Sequence, residues 1–181
     1  MPVRIQEPWR SFLRDVDRAL DKRVEVHCLG GFVLAVLWGL PRPTADVDFI
    51  DVKPGDAGED LLRIAGEGTA LAQNHRLHFQ RVTGAVYPDG YERRLIDITP
   101  RGLHRLTLKA FEVHDVVLAK LSRTSPRNRA DVEYLAKRGA LVRRVLTNRY
   151  KAELESYVLN EAREKLTLDL WLDEILGAQE P

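Results

Sequence analysis

Residues 29–52 constrain the fold of this chain more than any other stretch. They read LGGFVLAVLWGLPRPTADVDFIDV, so a glycine pair leads into an apolar segment, a proline-containing turn and two closely spaced aspartates. The apolar segment, residues 32–38, is long enough for about two helical turns, and the prolines that follow it end a helix. Asp46 and Asp48 open a predicted strand, on which alternate side chains share one face. The stretch therefore predicts a helix, a turn and a strand that presents two neighbouring carboxylates.

The two carboxylates are candidate metal ligands. Side by side on one face, they repel each other unless a cation lies between them, and oxygen ligands suit Mg²⁺ or Mn²⁺ better than Zn²⁺. Asp51, further along the strand, is predicted to face the opposite side from Asp48. Residues 24–28 alternate as a strand that leads into the glycine pair. A strand, a glycine turn and a helix aim backbone N–H groups at an anion, although the glycine pair on its own predicts only a tight turn.

The glycine pair Gly30-Gly31, the helix and the pattern Arg42-x-Thr44-x-Asp46-x-Asp48 together resemble the signature of the nucleotidyltransferase superfamily of the DNA polymerase β type. The stretch is most similar to the minimal enzymes of the AbiEii toxin group and their uncharacterised relatives. The resemblance implies an α/β (α+β) nucleotidyltransferase fold, a small mixed sheet flanked by helices. The apolar spacing along the chain predicts a core with an N-terminal helix over residues 1–110, and a helical C-terminal region, residues 111–181, packed on that core. Gly31 stands where many active members have serine, so a hydroxyl donor is absent while the backbone N–H groups remain.

A third carboxylate is expected on a second strand. Asp97 lies between Ile96 and Ile98 in a predicted strand over residues 93–98. A carboxylate among apolar residues needs a solvated cleft or a cation. The resemblance places the third carboxylate of the family on a strand next to the Asp-x-Asp strand, and this role falls on Asp97. The alternative is an aspartate at the edge of a sheet that faces solvent.

From Val113 onward the apolar residues recur at helical spacing. Lys120 lies on or beside the apolar face, where a lysine either extends its ammonium group to solvent or meets an anion. The resemblance extends to a second motif, a helical lysine followed by basic residues and an aspartate that opens the next helix. It implies that Lys120 approaches the nucleotide phosphates and that Asp131 belongs to this motif. An ion pair between Asp131 and Arg127 on a helix begun near Pro126 is the alternative.

The charge is unevenly distributed along the chain. The net charge is only +1, yet residues 120–153 hold ten Lys or Arg and three Asp or Glu. These basic side chains are candidates for binding the backbone of an RNA end such as tRNA, and a solvated helical surface explains them equally well. The candidates are Arg123, Arg127, Arg129, Lys137, Arg138, Arg143 and Arg144.

The resemblance implies a metal-dependent enzyme. It would move a nucleoside monophosphate from a nucleoside triphosphate to an acceptor hydroxyl on RNA or on a partner protein, as a toxin with an antitoxin partner. Asp46, Asp48 and Asp97 would hold Mg²⁺ or Mn²⁺, with Asp97 also a candidate proton acceptor. The nucleotide would contact Gly30, Gly31, Arg42, Thr44 and Lys120. The alternative is a catalytically inactive module of the same fold that binds a nucleotide or a protein.

The remaining composition indicates an ordinary soluble domain. Hydrophobic residues make up 44% of the chain and charged residues 30%. The sequence contains no apolar run of about 18 residues and no apolar signal-peptide core. Cys28 has no partner for an internal disulfide, which fits a reducing cytoplasm. Without a long apolar run, no membrane contact is expected. His75 and His78 lack a second ligand pair, so zinc is not expected.

Overall fold

The computed structural model describes residues 4–123 and 125–177, which contain a mixed five-stranded sheet and a set of helices. These residues divide into two units. The sheet unit comprises residues 1–83 and 95–111, and the helical unit comprises residues 84–94 and 112–181. The predicted fold class, a small mixed sheet flanked by helices, is confirmed. No helix within the described ranges combines the length and the apolar character that a membrane span requires.

The sheet belongs wholly to the sheet unit. Its strands, in chain order, are β1 (Val24–Cys28), β2 (Asp46–Lys53), β3 (His78–Arg81), β4 (Ile96–Asp97) and β5 (Leu106–Ala110). In space they follow the order β3-β2-β1-β5-β4. β1 runs antiparallel to β2 and parallel to β5, β2 runs parallel to β3, and β4 runs antiparallel to β5. The order of β1 and β2 keeps the glycine turn beside the Asp-x-Asp strand.

One face of the sheet is apolar and covered by helices. The helices of this unit are α1 (Trp9–Ala19), α2 (Gly30–Trp38), α3 (Ala57–Ala65) and α4 (Ala70–His75). α3 packs on β2 and β3, and α1 packs on β5 and α4. Phe12 of α1 and Phe49 of β2 both lie against Phe79 of β3, with ring centroids 5.7 and 6.2 Å apart. Since all three rings are almost fully buried, each contributes about 1.5–3 kcal/mol to the hydrophobic core.

The other face of the sheet is polar, and a β-bulge in β2 adds one more acidic side chain to it. His27 pairs with Asp51 while Cys28 pairs with Phe49, so Ile50 is an extra residue on β2. An extra residue reverses the alternation of side chains beyond it. Asp51 therefore shares the face of Asp46 and Asp48, and the prediction that it faces the opposite side is wrong. Alternation read from the sequence assumed an unbroken strand.

The helical unit is built from α5 (Val113–Leu118), α6 (Pro126–Lys137), α7 (Arg143–Arg149) and α8 (Glu161–Glu174). Ser125 caps α6 by accepting a hydrogen bond from the Asn128 N–H at 3.2 Å, and Pro126 is its first residue. Both features are favoured at a helix start, because the serine oxygen accepts from one free backbone N–H and proline has no N–H to leave unsatisfied. The predicted start near Pro126 is thus confirmed.

A buried ion-pair network stabilises the helical unit. The fully buried Asp115 of α5 accepts hydrogen bonds from Arg94 at 2.8 and 3.1 Å and from Arg149 at 2.9 Å. Arg94 also donates to Glu153 at 2.6 Å, and Arg149 to Glu112. Partial burial raises the pKa of Glu112, but its bonds to His114 and Arg149 outweigh this and lower the pKa to about 2. A buried carboxylate is tolerated only with such partners.

In the sheet unit, the side chain of Asp17 binds the backbone at the start of β5. Its Oδ1 accepts three backbone hydrogen bonds, from the N–H groups of His104 at 2.9 Å, Arg105 at 2.7 Å and Leu106 at 2.8 Å. Burial raises the pKa of Asp17, and the three N–H donors lower it further than burial raises it. The carboxylate therefore fixes the loop before β5 from the last turns of α1.

We expect Asp17→Asn to lower the free energy of unfolding by about 1–3 kcal/mol, because the three backbone N–H groups then meet a neutral amide instead of a charged carboxylate. The difference from the wild type is present above the unfolded-state pKa of Asp, about 3.9, and declines as the pH falls through the folded-state pKa. Urea denaturation between pH 7 and pH 3 measures it. The exposed neighbour Asp21, changed to Asn, is the control with no such effect, and a pH-independent loss in Asp17→Asn would contradict this account.

Candidate functional site

Gly30 and Asp48 approach each other so closely that no side chain fits at position 30. A Cβ built on Gly30 would lie 3.2 Å from Asp48 Cγ and closer still to its Oδ2. Gly30 also has a left-handed backbone with φ of +78°, which glycine adopts without the cost that other residues bear. The Leu29 N–H donates to the Asp48 carbonyl oxygen at 3.0 Å. The start of α2 is therefore fixed directly beside the Asp48 carboxylate.

The first turn of α2 carries no side-chain cap. Leu29 at the N-cap position accepts no hydrogen bond through its side chain, and a helix leaves its first backbone N–H groups without intrahelical partners. These groups and the helix dipole favour an anion at this end. The glycine turn therefore joins a helix start without a side-chain cap to an acidic strand.

Arg42 and Thr44 pack against the second glycine of the turn. A Cβ on Gly31 would lie 3.1 and 3.3 Å from the two terminal guanidinium nitrogens of Arg42, and 3.3 Å from Thr44 Oγ1. The Thr44 hydroxyl donates to the Asp46 carbonyl oxygen at 3.4 Å. The side chains predicted to brace the Asp-x-Asp turn or touch a nucleotide thus lie beside the glycine pair, where a serine side chain would meet them.

Asp46 has a histidine neighbour on the adjacent strand. β3 pairs with β2 in the register Asp46 with His78 and Asp48 with Gln80. The His78 Nε2 atom lies 3.4 Å from Asp46 Oδ1, and both side chains are partly exposed. Sequence reasoning considered His78 only as a zinc ligand paired with His75. The parallel pairing of β2 and β3, which places His78 here, has no local sequence signal.

Cys28 lies at the end of β1 but offers no reactive thiol. Burial raises the pKa of the Cys28 thiol far above its usual value, and the negative charge of Asp48 adds to the effect. Because the thiolate is the nucleophile and metal ligand, a thiol held protonated serves neither purpose. The chemistry of the site therefore rests on oxygen and nitrogen donors.

The donor set fits a divalent cation. Asp46 and Asp48 present carboxylate oxygens on one face, and Asp48 lies beside the uncapped start of α2. Within residues 4–123 and 125–177, they belong to no group of three His, Cys or acidic residues whose ligand atoms all lie within 4.8 Å of one another. Mg²⁺ is usually bound through one or two carboxylates together with water and substrate phosphates. The residues present therefore suit an ion that arrives with a phosphate ligand.

The structure does not bring Asp97 into this cluster. Asp97 shares the polar face, but β5 and β1 lie between its strand, β4, and β2. With strands about 4.8 Å apart, this order separates Asp97 from the Asp-x-Asp strand by about 14 Å. Lys109 Nζ donates to Asp97 at 2.8 Å. Partial burial raises the pKa of Asp97, but the bonds from Lys109 and Thr99 lower it to about 2.

The prediction that the Asp97 strand lies next to the Asp-x-Asp strand is therefore wrong. Its physical reason is the strand order: β2 already lies between β1 and β3, and β5, a strand that was not predicted, separates β4 from β1. The observed setting is closer to the alternative, an aspartate on an edge strand, where an exposed carboxylate pairs with a lysine.

Lys120 and Asp131 of the second motif contact each other within the helical unit. Lys120 Nζ lies 3.0 Å from Asp131 Oδ2 and 3.2 Å from Asn128 Oδ1. Both charged side chains are buried, Asp131 almost completely. A buried charge needs such a partner, so the ion pair explains how Lys120 is buried in the turn that follows α5. The Lys120–Asp131 ion pair joins the turn after α5 to α6.

The basic candidates differ in their surroundings. Arg129 pairs with Glu133 at 2.9 Å and with Glu174 at 2.8 Å, and Arg143 pairs with Asp173. Arg123 and Arg127 are exposed. Arginines paired with acids contribute less to the potential that attracts a nucleic acid backbone. Residues 120–153 therefore attract such a backbone less than their count of basic residues indicates.

Comparison with known proteins places these observations in a family. The sequence matches the family described as "Nucleotidyltransferase of unknown function (DUF6036)" over residues 11–174. No curated protein and no solved structure matches the chain. The match spans the glycine turn, the Asp-x-Asp strand and the Lys120–Asp131 motif alike. The chain therefore belongs to this family of nucleotidyltransferases.

Proposed function

We propose that the protein is a divalent-metal-dependent nucleotidyltransferase that moves a nucleoside monophosphate from a nucleoside triphosphate to an acceptor hydroxyl. One observation carries the proposal: the Asp48 carboxylate lies directly against Gly30, at the uncapped start of α2. A metal-binding carboxylate and an anion-binding helix end are thereby adjacent. This is the pairing that a triphosphate with a bound cation requires.

Each part of the site has a separate task in this proposal. The backbone N–H groups of Gly30 and Gly31 donate to triphosphate oxygens, and the Arg42 guanidinium offers further donors beside Gly31. Asp46 and Asp48 hold Mg²⁺ or Mn²⁺. The bound ion supplies charge neutralisation for the triphosphate and lowers the pKa of the attacking hydroxyl. Positioning and charge stabilisation are most of what phosphoryl transfer needs from a protein.

The proposal does not use Asp97 or Lys120. Asp97 is held by Lys109, and Lys120 is held by Asp131 in the helical unit. These pairs leave Asp46 and Asp48 as the two carboxylates of the site. The acceptor hydroxyl would then lose its proton to solvent or to a group that the substrate brings.

For the acceptor we propose an RNA end. The exposed Arg127 supports it, while the acid-paired Arg129 weakens it. A toxin role, an antitoxin partner and a protein acceptor stay predictions from the resemblance. An inactive module of the same fold that binds a nucleotide or a protein is the alternative, and the experiments below separate it from an enzyme.

We expect the wild type to transfer label from an α-labelled nucleoside triphosphate to total RNA in the presence of Mg²⁺. The double variant Asp46→Asn, Asp48→Asn should reduce the rate at least 100-fold, because the carboxylates that hold the ion are gone. Asp97→Asn is the control and should retain the wild-type rate. Gel separation of RNA, protein and small molecules identifies the labelled acceptor.

Three results would contradict parts of this proposal. Absence of transfer by the wild type with every triphosphate would favour the binding module. Label on protein instead of RNA would exclude the RNA acceptor but leave the enzyme. A folded Asp97→Asn variant without activity would contradict the exclusion of Asp97 from the catalytic group.

We expect Gly30→Ala to abolish triphosphate binding, because its Cβ would displace the Asp48 carboxylate. Gly68→Ala is the matched control: Gly68 also has a left-handed φ, +81°, but a Cβ there would meet no atom within 4 Å. Both variants should lose about 1–2 kcal/mol of stability from backbone strain, and Gly30→Ala should lose more because its Cβ also displaces Asp48. Only Gly30→Ala should lose affinity in calorimetric titration with a non-hydrolysable triphosphate and Mg²⁺. Equal affinities of the two variants would show that the close approach has no role in binding.

A further inference from the structure

The strand beside the Asp-x-Asp strand carries a histidine where a third acidic residue would be expected. β3 adjoins β2 on the side away from β1, and its register pairs His78 with Asp46. Residues paired across two parallel strands project their side chains to the same face. His78 therefore shares the polar face of Asp46 and Asp48, one strand away, whereas Asp97 is three strands away.

The two side chains are spaced as ligands of one ion would be. His78 Nε2 and Asp46 Oδ1 are 3.4 Å apart. Bonds of about 2.0–2.2 Å from one ion to a nitrogen and an oxygen place these atoms about 3.0–3.5 Å apart at the usual coordination angles. The 17% exposed His78 side chain and the 36% exposed Asp46 side chain remain open to a solvent-borne ion. The neighbouring Gln80, which pairs with Asp48, adds no charge that would repel it.

We propose that His78 is a nitrogen ligand of the divalent cation at this site and binds it together with Asp46. The inference rests on the proposed function, which supplies the cation, and it adds a donor that neither the family description nor the motif assigns. Imidazole suits first-row transition ions, whereas Mg²⁺ prefers oxygen donors. The site therefore binds Mn²⁺ in preference to Mg²⁺, and His78 is the origin of that preference.

The direct test is pulsed electron paramagnetic resonance of Mn²⁺ bound to the full chain with inorganic triphosphate, which contains no nitrogen. The wild type should show coupling of Mn²⁺ to one directly bound nitrogen, and labelling histidine with ¹⁵N should change that coupling. His78→Asn should remove the coupling, and Asp46→Asn should greatly reduce Mn²⁺ binding. The exposed His104, changed to Asn, is the matched control that keeps the signal.

Calorimetry supplies a second readout that does not depend on activity. His78→Asn should weaken Mn²⁺ binding about 10–100-fold, as loss of a ligand or its partner does, and Mg²⁺ binding by less than about threefold. His78→Asp should restore binding with a preference moved toward Mg²⁺, because it replaces nitrogen by oxygen.

The outcomes separate the inference from the function on which it rests. Mn²⁺ that binds in an Asp46-dependent way without nitrogen coupling would overturn the role of His78 and leave the metal-dependent enzyme intact, since His78 and Asp46 would then form only an ion pair. Mn²⁺ and Mg²⁺ affinities reduced equally in His78→Asn would also overturn it. Metal binding that is insensitive to Asp46→Asn would contradict both proposals.

Discussion

The site depends on the close approach of one carboxylate to one peptide backbone. Asp48 occupies the space that a side chain at position 30 would need, and the Leu29 N–H is bonded to the Asp48 carbonyl oxygen. The turn after β1, the register of β2 and the start of α2 are therefore parts of a single constraint. If β2 slipped by one residue, Asp46 and Asp48 would leave the polar face and apolar side chains would replace them. The hydrophobic core under Phe49 and Phe79 opposes such a slip.

One face of the sheet packs the hydrophobic core, and the other face carries the candidate site residues. The apolar face buries aromatic side chains of β2 and β3 against α1, which fixes the strands. The polar face carries Asp46 and Asp48 on β2, with His78 paired to Asp46 from β3. The bulge at Ile50 adds Asp51 to this face, opposite His27. A rigid sheet of this kind holds ligands more accurately than a loop would.

Sequence patterns predicted the parts of the site that are close in the chain. The glycine pair and the Asp-x-Asp strand are separated by one helix and one turn, so spacing and alternation were sufficient to place Gly30, Asp46 and Asp48. Placing Asp97 and His78 required the strand order, which depends on pairing between distant segments. Residues 106–110 alternate Leu-Thr-Leu-Lys-Ala, a pattern that does indicate a strand, but no local signal shows that β5 inserts beside β1. Likewise, helical spacing placed Lys120 beside an apolar face, and only the fold shows that Asp131 is its partner.

The central claim is that the cation and the triphosphate meet at the start of α2. A crystal structure with Mn²⁺ and a non-hydrolysable nucleoside triphosphate tests it most directly, because anomalous scattering locates the ion independently of the phosphates. The account predicts a manganese peak bound by Asp46 and Asp48, with triphosphate oxygens within hydrogen-bond distance of the Gly30 and Gly31 N–H groups. A manganese peak at Asp97, or a triphosphate bound away from the glycine turn, would contradict it.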